Sequence, residues 1–522
     1  MLTYPEIGFT LTVLGSSLYL LCRDRVFNKP PLRLPPSPAG SYPILGHALV
    51  LPTKDEHLVY AQWCKELNSD IISLTVLGQN IIIVNSVEVA RHLLDQRSTI
   101  YSSRPYLRAI SDPDLLGWGD NIAIMPYGPG WKKQRSTMHG VLKSSANIHN
   151  FALFESESHG LLKRLMADPM LFDKEFRRTV AAQILSSVYG YTVKDLDDPL
   201  VRDSATVVEK FTVAAVPAMV PGAQWKRNII QWRHLKDHVK NYPYEWAKAQ
   251  IVSGCIWFCG AFDRTDSLGF RGGKPEGKMP EEEENLRRVS VSLFGVSRIS
   301  HELCARHGSA PRRQARAQKE IDDVTKSERL PTMADRDSMP YIRSIVAGGP
   351  ALAASTSAGG TRATSEDDEY RGYLILKALL CEWLDARLDI VILHTILTTC
   401  ATESQTHGDE PDESVYKSPD QFIPDRFIGL DVRHQLHLAL VVASPLLRSC
   451  PGNHYAEASL FILFASVLAV FDLGPKVNPA TGQEEMPEGK VVVHALLSRI
   501  LPFECTIKPR SSIHKELIES AL

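Results

Sequence analysis

From Ile7 to Cys22 the chain reads IGFTLTVLGSSLYLLC, sixteen residues without a charge. At a rise of about 1.5 Å per residue, a helix of this length nearly crosses a thin bilayer core of about 30 Å. Arg23, Arg25, Lys29 and Arg33 follow the run, whereas Glu6 is the only charge before it. That order puts the body of the protein on the cytosolic side. With the cations after the apolar run and no small-residue cleavage site, an anchor fits better than a cleaved signal peptide. Residues 1–25 are therefore predicted as a single-pass transmembrane helix. Residues 26–46 follow as a hinge, with prolines at 30, 31, 35, 36 and 38 that exclude helix and favour a stiff extended spacer.

The remaining residues, 47–522, are long enough for one large compact unit. Ile71 to Val76 and Ile81 to Val84 are β-branched runs separated by Leu77-Gly78-Gln79-Asn80, the pattern of a hairpin. Ser86 is placed to cap a helix over Val87 to Gln96. From Ala152 to about Lys248 the periodicity is helical, broken near Asp197-Asp198-Pro199 and Pro217 to Gly222. The predicted fold class is α+β, mainly helical with a small β-sheet region. Three stretches, 251–278, 296–314 and 347–365, lose their periodicity and are predicted to be irregular.

Charge and cysteine content narrow the function. Lys plus Arg, 58, nearly cancels Asp plus Glu, 60, which leaves no electrostatic footprint for nucleic acid. Nine scattered cysteines, an odd count in a long chain, argue against a disulfide framework and for a reducing compartment. Most of them read as small buried apolar residues. One is different. Arg448-Ser449-Cys450-Pro451-Gly452 precedes a long apolar helix, so Cys450 stands just ahead of a helix N-terminus, whose free N–H groups favour a thiolate. On these grounds Cys450 is a candidate metal ligand or nucleophile, with a buried structural cysteine as the plain alternative.

Other constellations fail. In His301-Glu302-Leu303-Cys304-Ala305-Arg306-His307 the second histidine of a zincin motif should stand at 305, which is alanine. Cys255 and Cys259 share a helix face without nearby partners, and no Gly-x-Ser-x-Gly occurs for a serine hydrolase.

Taken together, three further segments give Cys450 a context. Arg448, Cys450 and Gly452 stand as in the cysteine loop of the cytochrome P450 haem-thiolate monooxygenases, which the chain resembles. Pro424-Asp425-Arg426-Phe427 resembles the family's Pro-Glu/Asp-Arg-Phe segment, and Trp131 and Arg135 its Trp-x-x-x-Arg helix. The anchor and proline hinge are similar to those of the microsomal members, and the nearest likeness is to fungal members that oxidise secondary metabolites. The resemblance implies heme b, with its iron on Cys450. It implies Trp131, Arg135 and Arg448 on the haem propionates, and Gly452 in the cofactor-binding turn. It also implies an endoplasmic reticulum membrane, a lipophilic small-molecule substrate, and electrons from NADPH-cytochrome P450 reductase.

The chain departs from the family pattern at named places. Leu293-Phe294-Gly295 leads into the central helix, but Val296 to His301 replaces the acidic-alcohol pair. The Glu-x-x-Arg helix expected after Ile345-Val346 gives way to an Ala/Gly/Ser run from Ala347, and Ala443 and Leu446 stand where the cysteine loop carries Phe and Gly. Matching text resumes in register at Ala317 to Asp322 and at Asp367 to Tyr373. These departures define the alternative function: a catalytically impaired pseudoenzyme or membrane-tethered scaffold of the same fold.

Overall fold

The computed structural model describes residues 33–52, 56–142, 148–214, 223–253, 288, 311–352, 362–377, 392–394, 451–477, 481–485, 491–494, 497–500 and 503–521. The predicted anchor lies outside them.

The hairpin forms as β1 (Ile71–Val76) and β2 (Gln79–Val84), antiparallel from Ile71↔Val84 to Val76↔Gln79. Its connection is two residues, not the four expected. Gln79 and Asn80 stay in the ladder, where Thr75 Oγ1 donates to Asn80 Oδ1 at 3.0 Å. Leu77 and Gly78 make the turn at φ +51° and +82°, the doubly positive geometry that matches strand twist in two-residue hairpins. The sheet is covered on both faces, which explains strands that read as continuous apolar runs. Ile71, Ile82 and Val84 face Leu93, Leu94 and Tyr101, while Ile72, Leu74 and Ile83 face Tyr60 and Cys64. Ser86 sits at the start of the following helix, its hydroxyl 3.5 Å from Val89 N, and that helix widens into a π-turn over Arg91–Gln96.

From Arg33 the predicted hinge is docked rather than free. Leu374 N donates to Arg33 O at 2.9 Å, Ser73 N to Pro36 O at 2.8 Å, and Ser73 Oγ to Pro35 O at 2.7 Å. The proline carbonyls lie along the sheet edge as acceptors, so residues 33–46 belong to the body.

The larger core is helical. In chain order it contains α1 (Pro129–Leu142), α2 (Phe151–Ala167), α3 (Phe172–Tyr189), α4 (Pro199–Ala214), α5 (Ala223–Val252), α6 (Pro311–Thr325), α7 (Pro340–Leu352) and α8 (Asn453–Val470). The break expected near Asp198 is an N-cap: Asp198 Oδ1 accepts from Leu200 N at 3.0 Å. Gly190 ends α3 at φ +68°, a left-handed cap that suits glycine. The second expected break, Pro217 to Gly222, lies outside the described residues.

Helix α8 is the centre, packed by α2, α6 and α7. Among the described residues it alone is long and apolar enough to cross a membrane, but 78% of it is buried inside the protein. A helix apolar on all sides and enclosed by other helices is a core helix.

All three stretches expected to be irregular are partly helical. Helix α6 begins at Pro311, four residues inside the 296–314 stretch. Its buried stripe is Gln314, Ala317, Gln318, Ile321 and Thr325, and the polar members hid the period. Those glutamines serve a strand, Phe471–Val477. Gln314 brackets Leu473, donating to its carbonyl at 3.2 Å and accepting from its N–H at 3.0 Å, and Gln318 donates to Phe471 O at 3.2 Å. Helix α7 continues through Leu352, six residues into the 347–365 stretch. Its start is secured by Glu320 of α6, which accepts from Tyr341 N and Ile342 N at 2.9 Å each. Burial of Tyr341, Ile342, Ile345 and Val346 holds the nucleus from which further turns propagate at small cost. Residues 251 and 252 finish α5, and Ala363 pairs with Ser103 in an isolated bridge. The rest of the three stretches lies outside the described residues, apart from Ser253, Arg362, Thr364 and Ser365.

Candidate haem-binding site

Pro129 opens α1, where its missing N–H costs nothing, and two residues on the helix buries Trp131. Arg135, one turn later, lies over the same indole with its guanidinium carbon 5.3 Å from the ring centroid. The Tyr127 ring is also 5.3 Å from that of Trp131. The structure thus brings Trp131 and Arg135 together as a stacked cation and indole, the pairing the spacing predicts. Gln134, buried between them in sequence, ties the helix to the preceding loop by donating to Asp120 O at 3.0 Å.

Gly452 is the N-cap of α8, buried, and its carbonyl accepts from Ala456 N at 2.8 Å. The helix-start reading of Pro451-Gly452 therefore describes the local structure, with Cys450 two residues ahead of the cap in sequence. Arg448 and Cys450 themselves lie outside the described residues. So do Pro424 to Phe427, the Leu293 to His307 region, Cys255, Cys259, Ala443 and Leu446.

One pair of residues was missed by sequence reasoning. Ser103 and Ala363 form an antiparallel bridge, with Ala363 N donating to Ser103 O at 2.9 Å. Arg104 and Arg362 are the next residues along the two bridged segments. Arg362 is 2% exposed. Burial pushes the Arg104 guanidinium down to about 10. The buried atoms Arg104 Nε and Arg362 Nη1 donate no hydrogen bond here, and donors of this kind suit an anionic ligand. That is the donor chemistry a haem with two propionates requires, so the residues present fit the group. The only sequence signal was weak: Arg104 precedes Pro105, which biases it to extended backbone.

Two described cysteines behave as apolar residues. Cys64 and Cys505 are buried free thiols, and burial pushes the Cys64 thiol up to about 12, far from a reactive thiolate. Among the described residues no group of three His, Cys, Asp or Glu is placed to hold a metal ion. A surface groove lined by Glu88, Arg91, His92, Gln96, Arg97, Tyr370 and Arg371 contains none of the predicted site residues.

The chain is similar to known proteins along most of its length. Residues 35–218 match the cytochrome P450 family model. Cytochrome P450 monooxygenase 208 of Postia placenta is 30% identical over 97% of this chain and 96% of its own. A cytochrome P450 monooxygenase of Armillaria gallica is likewise 30% identical, over 97% of this chain and 98% of its own. In three dimensions a zebrafish cytochrome P450, solved with abiraterone, superposes with a TM-score of 0.65 at 16% identity. It covers 87% of this chain and 100% of that one. The fold is accordingly that of the haem-containing cytochromes P450, a mainly helical body with small sheets. This chain belongs to the cytochrome P450 family, whose monooxygenases are oxidoreductases with a haem-iron cofactor.

Proposed function

We propose that this protein is a membrane-bound haem-thiolate monooxygenase that inserts oxygen from O2 into a lipophilic small molecule in secondary metabolism. The observation that carries the reading is local: a buried apolar helix capped at Gly452, directly after Arg448-Ser449-Cys450-Pro451, in a chain of this family. Cys450 is the iron ligand. Its place ahead of a helix N-terminus and near Arg448 favours the deprotonated sulfur, which no buried thiol such as Cys64 would supply. Trp131 and Arg135 hold one propionate from a single helix face, with Arg448 contributing a further cation. Arg104 and Arg362 add two further guanidiniums, whose buried Nε and Nη1 atoms are donors for the carboxylates. Haem bound through thiolate supplies the oxygen chemistry, because sulfur donation favours O–O cleavage over reversible binding. Residues 1–25 anchor the chain in the endoplasmic reticulum membrane with the body cytosolic, where NADPH-cytochrome P450 reductase delivers electrons.

The test is the reduced carbon-monoxide difference spectrum of the full-length protein beside Cys450→Ala. The expected result is a red-shifted Soret band that the substitution abolishes. A haem band indifferent to Cys450, or no haem band, would overturn the ligand assignment and favour the impaired form of the fold.

A further inference from the structure

Helix α8 poses a mechanical problem. From Leu460 to Val470 every residue except Ser466 is apolar, and all are buried. Apolar burial is non-directional, so it sets the depth of such a helix without setting its rotation. Rotation matters at one end, because the predicted iron ligand lies two residues before the N-cap.

The first two turns carry polar anchors that the remaining turns lack. Tyr455, buried, has its hydroxyl 2.9 Å from Ser187 Oγ of α3, and its ring meets Phe154 of α2 edge-on at 4.9 Å. Ser459, one turn later on the same face, donates to Gln183 Oε1, and Gln183 donates in turn to Phe154 O at 3.4 Å. Glu457 lies between them in sequence, so it projects about 200° away around the helix. There it accepts from Arg336, on the 3-10 turn Met333–Ser338. The helix is thus held on opposite sides, by α2 and α3 on one and by a separate turn on the other. A slip of one residue turns the helix by about 100° and breaks all three contacts.

We propose that Tyr455, through Ser187, and Glu457, through Arg336, are positioning residues for the haem thiolate. They fix the rotation of α8 and thereby the direction from which Cys450 enters its ligand position. The proposal rests on Cys450 being that ligand.

The experiment uses full-length haem-loaded protein in mild urea and follows the reduced carbon-monoxide spectrum over time. Tyr455→Phe keeps the ring against Phe154 and removes only the hydroxyl. Ile83→Val, in the buried sheet far along the chain, serves as a control of comparable lost stability. Tyr455→Phe is expected to lose the red-shifted band to the unshifted one about fivefold faster than the unsubstituted protein, the change one net buried hydrogen bond corresponds to. Ser187→Ala should match it, and the double variant should add nothing further. Glu457→Gln provides a second, independent variant with the same expected direction. Ile83→Val should convert at the unsubstituted rate despite its lower unfolding midpoint. If Tyr455→Phe and Glu457→Gln merely track Ile83→Val, the positioning role is overturned while the ligand assignment stands. If the unsubstituted protein shows no band sensitive to Cys450→Ala, the ligand assignment itself fails and takes the positioning role with it.

Discussion

Asp335 shows how single side chains lock the turn that faces Glu457. Its carboxylate accepts from both Nη atoms of Arg329 at 2.7 Å and from Thr332 N at 2.8 Å, closing a capping box. The Arg329 hydrogen bonds, more than any other influence, hold the carboxyl at about 2, against 3.8 ordinarily. Because the folded value lies below the unfolded one, this stability is fully present above about pH 4 and is lost as pH falls through about 2. Arg329 is half exposed, which screens the pair, so Asp335→Asn should cost about 1–2 kcal/mol at pH 7. Urea unfolding at pH 7 and again near the acid limit checks this, since the gap between parent and variant should close in acid. At the residue scale, Trp131 and Arg135 were legible because a spacing of four on a helix dictates a shared face. Arg104 and Arg362 were not. They lie 258 residues apart, and only the bridge of Ser103 with Ala363 brings their segments together.

At the scale of elements, apolar period was a good guide where burial is apolar and a poor one where it is not. The hairpin and the helices from α2 to α5 were readable for the first reason. Helix α6 was obscured because it buries glutamines that bond to a strand backbone, and a buried amide looks like a surface residue in sequence. The short pairing of Ser103 with Ala363 is the element with the clearest consequence for the cofactor. If its two arginines bind propionates, Arg362→Ala removes a charged hydrogen bond of about 1.5–3 kcal/mol. Haem should then leave at least about tenfold faster. Transfer of haem to an excess of apomyoglobin measures that rate, and an unchanged rate would remove Arg362 from the site.

For the whole molecule, the proposed anchor is the decisive feature. Full-length protein should pellet with membranes and resist alkaline washing, whereas a chain beginning at Val26 should be released. Retention of the shorter chain would shift the membrane contact to the body. The sequence by itself determined the family, the helical class and the Trp131–Arg135 pairing, because these rest on local periods and short motifs whose physics acts within a few residues. It also sufficed to make Cys450 the candidate ligand, through a turn signal and the helix that follows. Only the tertiary structure decided that residues 33–46 dock on the sheet, and that α8 is a core helix clamped at one end. It alone brought the segments of two distant arginines together, at the bridge of Ser103 with Ala363. Each of those depends on which surfaces meet after the chain has closed, and long-range pairing of buried polar groups leaves no period in the sequence to read.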